Sequence, residues 1–230
     1  MTHTLHRIGD RGSLERDYVL YALASNVELL KGNKPTYENT KELLTKFMDI
    51  CFRHRPVNAG CIYPSSSPYS KTIAKGNTWE EMRQEMLDYT ETLAVFDDRE
   101  NLRKVIDDLR ESDLGLSIVL SGVFDEVYEA CEETGLTPHT VNIALGIMGK
   151  KELLPERRTL EIVTMCGHGL VSQYLAEDLV RKIRANKISV EEAAKRLGAN
   201  CICGAFNTAR ATEILTLMVG EAHGSGECDG

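Results

Sequence analysis

Positive charge is in short supply in this chain: 27 Lys and Arg stand against 35 Asp and Glu, a formal net charge of −8. Neutralising phosphates needs a cationic surplus, so nucleic acid is not an expected partner. The small clusters Arg157-Arg158 and Arg181-Lys182 with Arg184 read as solvated faces. No apolar run approaches the roughly 20 residues of a membrane span, so a membrane is not expected either. Residues 1–7 lack the apolar core of a signal peptide, and the chain reads as cytoplasmic. Also missing are the Gly-x-Gly-x-x-Gly dinucleotide fingerprint and a Walker-type phosphate loop. The Gly-x-Ser-x-Gly nucleophile elbow and any internal repeat are absent too. Gly146 and Gly149 form only a Gly-x-x-Gly, which turn geometry explains.

With 230 residues the chain can bury a sizeable core, and we expect a single α/β domain over 1–220. Residues 221–230, Gly- and acid-rich, are expected to be a disordered tail carrying Cys228. Tyr18–Ala24 is rich in strand formers. Lys31–Pro35 has loop composition, and a helix from near Thr36 turns Leu43, Leu44, Phe47, Met48 and Cys51 inward before Pro56 stops it. Thr78 and Glu81 make a capping box, and Arg99–Arg110 carries an amphipathic stripe. Leu114–Leu120 reads as a strand buried on both faces, and Val123–Glu133 as a helix stopped by Gly135. Thr140–Met148 and Leu160–Met165 read as two further strands. This alternation predicts an α/β fold: a mostly parallel sheet of three or more strands flanked by helices, with a helical C-terminal portion. Residues 56–77 show no periodicity and are expected to form a long functional or flexible loop, covering a substrate through Asn58, Cys61 and Lys71.

Cysteine is plentiful but poorly suited to a disulfide framework. Seven is an odd count, and the spacing is uneven. Cys51 and Cys131 fall on apolar helical faces and read as core thiols. Cys166 ends an apolar run in the turn Cys166-Gly167-His168-Gly169, and Cys201 and Cys203 flank Ile202 ahead of Gly204. Between the two turns lie two amphipathic helices, the second capped by Ser189, long enough to fold one turn back onto the other. A thiolate at a helix entrance serves as metal ligand or nucleophile.

Cys166, Cys201 and Cys203 are therefore the candidate metal ligands, with Cys166 and His168 as catalytic candidates. Gly167, Gly169 and Gly204 would let a cofactor approach the backbone; Asn207, Arg210 and Cys61 are candidate substrate contacts, Cys61 being also a possible fourth ligand. Three thiolates suit a 4Fe-4S cluster with one open iron, or a single Zn, Ni or Fe ion completed by His168 or Cys61. The Cys-x-Cys spacing is shorter than structural zinc knuckles prefer. The leading expectation is an iron–sulfur or other metal-dependent enzyme acting on a small anionic molecule by non-redox lyase or sulfur-transfer chemistry. The alternatives are a metal or cluster carrier serving a client metalloenzyme, and a metal-free cysteine-nucleophile transferase or hydrolase. Homo-oligomers are compatible with all three.

Overall fold

The computed structural model describes residues 3–23, 40–63, 69–88 and 90–220. Lys31–Pro35, the helix start at Thr36 and the tail with Cys228 lie outside the described residues.

Five strands form one sheet: β1 (Tyr18–Leu23), β2 (Asn58–Ile62), β3 (Ser70–Thr72), β4 (Glu91–Phe96) and β5 (Ser117–Ser121). Their order is β3-β2-β4-β1-β5, and every neighbouring pair is antiparallel. The expected parallel sheet is thereby corrected, although the α/β character stands. The reason is topological. Helix α2 (Thr40–Arg53) links β1 to β2, and α4 (Arg99–Ser112) links β4 to β5. Each linked pair points the same way, but β4 sits between β1 and β2, and β1 between β4 and β5. With the short edge strand β3 set aside, this is a split β-α-β-β-α-β arrangement.

Residues 56–77 are not a free loop. Five buried residues of this segment make β2, and Ser70–Thr72 pairs back on it, Gly60 opposite Thr72 and Cys61 opposite Lys71. The expected strand at Leu160–Met165 is instead the end of helix α6 (Arg157–Val163). Glu156 caps that helix by accepting from the Arg158 and Thr159 amides, and Arg157 and Arg158 pair with Glu161 one turn on. Local charge and capping outweigh the β-branched run. Residues 140–148, expected to be a strand, are fully described and form neither strand nor helix.

Alternation along the strands sends side chains into two cores. Tyr18, Leu20, Cys61 and Phe96 face one helical layer, built on α2 and α4 with α3 (Trp79–Gln84) and α5 (Phe124–Glu133). Val19, Tyr21, Ile62, Leu93 and Val95 face a second layer of α6, α7 (Gln173–Arg184), α8 (Val190–Gly198) and α9 (Thr208–Gly220). Each large apolar side chain removed from water stabilises by roughly 1.5–3 kcal/mol, so both faces of the sheet contribute. The second core holds the thiols of interest. A short helix, α1 (Arg11–Leu14), follows an N-terminal segment that runs beside this layer. Among the described residues no helix is long and apolar enough to cross a membrane.

Candidate metal centre

Two turns of the second helical layer meet against the sheet. The first follows α6: the Cys166 amide bonds the Val163 carbonyl, and the Gly169 amide bonds the Cys166 carbonyl. Gly169 takes a left-handed φ of 69°, which a side chain would resist. Cys166 therefore sits behind a helix C-terminus, not at the N-terminal entrance expected from the sequence. The second turn, Cys201–Phe206, joins α8 to α9. The α7–α8 pair brings it back onto the first.

The sulfurs converge. Cys201 and Cys203 lie 3.7 Å apart between Sγ atoms, and Cys203 Sγ is 3.8 Å from His168 Nδ1. Cys166 lies near enough to Cys201 for each thiol to affect the other's ionisation. All three thiols are buried, and His168 and Gly169 lie at the surface, with Gly167 half-buried between Cys166 and His168. Each sulfur also has backbone amides directed at it: Leu170 and His168 at Cys166, Phe206 at Cys201, Ala205 at Cys203. Such donors favour the thiolate forms that bind metal.

The ionisation of the three thiols is linked. The hydrogen bond from Cys201 lowers the Cys203 thiol below its ordinary value; the Ala205 amide and the Arg7 charge help, against burial. Cys201 is lowered by its neighbour Cys166, but its own donation to Cys203 and its burial push it up to about 11. Cys166, beside Cys201 and buried, is raised.

Sequence reasoning missed what holds these turns. Asn58 of β2, fully buried, donates to the Phe206 carbonyl at 2.8 Å. A Cβ on Gly60 would stand 2.5 Å from the Cys203 carbonyl oxygen, and one on Gly204 2.5 Å from the Ala59 carbonyl carbon. The thiol turn thus lies backbone to backbone on β2. Gly204, expected beside a cofactor, is used for that contact. Arg7 completes the clamp by donating to the Met165 and Ala205 carbonyls, one on each turn, and by pairing with Asp17. Its Nε is buried with no partner. In the sequence it was one charge in an ordinary polar N-terminus, with no signal to single it out.

Other candidates lie elsewhere. Cys61 is buried on the opposite sheet face with its Sγ 3.8 Å from the Met86 sulfur, so it is neither fourth ligand nor substrate contact. Arg210 is 1% exposed and spends its donors on Asp17, Ser13 and the Ile8 carbonyl. Buried against these partners, it does not face a place where an anionic substrate could reach it. Asn207 caps α9 through the Arg210 amide and donates to Asp17 and the Arg16 carbonyl. Both are structural.

Two thiolates each about 2.3 Å from one tetrahedral ion stand about 3.8 Å apart, and a thiolate and an imidazole nitrogen about 3.5 Å. The 3.7 and 3.8 Å separations fit that spacing. Among the described residues no group of three or more His, Cys, Asp or Glu side chains is already arranged to hold a metal ion, so closing the set calls for side-chain adjustment. No protein-family model, curated protein or solved structure matches this chain.

Proposed function

We propose that Cys166, Cys201 and Cys203 bind a single metal ion at a site completed by His168, and that the protein is a metal-dependent enzyme of a reducing, cytoplasmic compartment. The observation that carries this reading is the spacing of Cys201, Cys203 and His168, 3.7 and 3.8 Å between neighbouring donor atoms, with the buried Cys166 beside Cys201. A four-iron cluster, whose cysteines bind different irons, needs its sulfurs farther apart. The described cysteines are all free, as a reducing compartment requires.

Charge supports the same reading. Arg7, Asp17 and Arg210 form a buried group with one positive charge in excess. A divalent ion on three thiolates and a neutral imidazole carries one negative charge, and the two balance. His168 is the exchangeable corner. With the sulfurs sealed in the core, a small anionic molecule reaches the ion only from that side, where the metal would supply Lewis acidity. Burial of the sulfurs argues against a carrier, which must offer its ligands to a client, and against Cys166 as a metal-free nucleophile.

One specific observation, the burial of all three sulfurs, favours a second reading, a purely structural ion whose four donors would all come from the protein, as in structural zinc sites. Anaerobic purification followed by metal analysis tests the centre itself. We expect about one zinc, iron or nickel per chain, lost on changing any one of the three cysteines to Ser. A metal-free protein that folds normally overturns the proposal. Cobalt substitution then separates the readings. In an exchangeable site, His168→Ala keeps the ion and its spectrum responds to added anions; in a structural site, His168→Ala loses the ion.

A further inference from the structure

The far edge of the sheet and the segment after α5 are each incomplete, and each has what the other lacks. β5 ends the sheet order, and among the described residues no strand lies beyond it. Residues 140–148 alternate apolar and small or polar positions, with Val141, Ile143, Leu145 and Ile147 at every second place. That is the period of a strand, yet among the described residues the segment pairs with no strand and is exposed throughout. Leu145 is 77% exposed, Met148 75% and Ile143 64%. A cavity of about 340 Å³ separates β5 from the start of this arm, bounded by α5 through Val127 and Tyr128.

The exposed apolar surface is too large for a monomer. Those five arm residues, with Ile118, Phe124, Tyr128 and Leu136 around the cavity, are all exposed. Together they present roughly 1,000 Å², against the few hundred a monomer usually leaves open and the about 800 Å² per partner in a stable complex.

Charge says what covers it. A chain of net charge −8 repels its own kind wherever charged faces meet. Thr140–Gly149 and Ser117–Ser121 contain no Asp, Glu, Lys or Arg. Sheet edges kept single are usually guarded by Lys or Pro, and neither segment has one. One chain carries both an open edge and an unpaired strand-forming arm. Two copies about a twofold axis can pair both at once, each arm on the other copy's β5.

We infer that the protein is a twofold dimer in which residues 141–148 of each copy add to β5 of the other as a further strand. This inference does not depend on the metal centre. The test uses the full chain at micromolar concentration, with mass from sedimentation or light scattering and exchange read at those amides of Ser117–Ser121 that face away from β1. The expected result is twice the chain mass with slow exchange along β5. The double variant Ile143→Lys, Leu145→Lys should give the single-chain mass, self-association weakened on the order of 100-fold or more. Both side chains are exposed in the single copy, so circular dichroism should show the fold unchanged. A wild-type monomer overturns the inference, including one whose β5 amides are protected by its own arm. So does a double variant that stays dimeric, or a dimer with freely exchanging β5 amides.

Discussion

Gly60 is the residue on which the thiol turn's placement depends most directly. Its missing side chain is the space into which the Cys203 carbonyl fits. Gly60→Ala should cost about 1–3 kcal/mol, as overpacking does, and lower metal content by displacing Cys203. Urea denaturation and metal analysis measure the two effects. The linked ionisation of the thiols makes a second prediction at this scale. Cys201 lowers the Cys203 thiol more than Arg7 does. In metal-free protein the thiolate absorbance of Cys203 should therefore move to higher pH in both Cys201→Ala and Arg7→Met, and farther in the first. The reverse order would mean that charge, not the sulfur hydrogen bond, sets its ionisation. His168 and the three cysteines were legible in the sequence because glycine-flanked thiols between helical patterns stand out. Asn58, Gly60 and Arg7 were not, since what they do is visible only across the sheet.

Helix ends show most plainly how local chemistry builds the elements. Thr78 and Glu81 close the capping box that their spacing implies, Ser189 caps α8, and Gly135 stops the chain after α5 at a φ of 70°. The start of α2 is capped from a distance: Asp88 accepts from the Lys41 amide at 2.8 Å and the Thr40 hydroxyl at 2.9 Å. Those bonds, the Lys41 amide first, hold the Asp88 carboxyl below its usual range. The lowered group stabilises the fold above the unfolded carboxylate value of about 3.9 and ceases to as pH falls through its folded value. Asp88→Asn should thus be less stable than wild type at neutral pH, and the two should converge in acid. Denaturant midpoints across that range check it. Strands were harder to read. β1 and β5 were legible as apolar runs, but β4, buried from Thr92 to Phe96, was passed over. Its role between β1 and β2 comes from pairing with distant residues, which no local window contains. The same limit hid the antiparallel order, because helix-linked strands imply a parallel sheet only when they are neighbours.

For the molecule as a whole, the buried Arg7–Asp17–Arg210 group is the principal tie between the N-terminal segment and the second helical layer. Arg210 bonds Asp17 at 2.9 Å and the Ile8 carbonyl at 2.6 Å, and Arg7 reaches both thiol turns. Removing one partner of a buried pair leaves the other charge stranded, at a cost of about 3–5 kcal/mol. Arg210→Met should reach that range in equilibrium unfolding. It should also loosen the N-terminal segment, seen as faster amide exchange at Ile8, whose N–H is held by Thr164. A loss below about 1 kcal/mol would show that the segment is held by packing alone.

Asp17 and Arg210 are 193 residues apart in sequence. At about 5–20 residues per second, a ribosome takes roughly 10–40 s to reach the second after making the first. Throughout that interval Asp17 has no Arg210 beside it, and for all but its last few residues Cys201 and Cys203 have yet to be made. The nascent chain cannot present a finished binding site, however early its sheet begins to form. On the proposed reading, an ion would be delivered to a protein whose synthesis has passed Cys203.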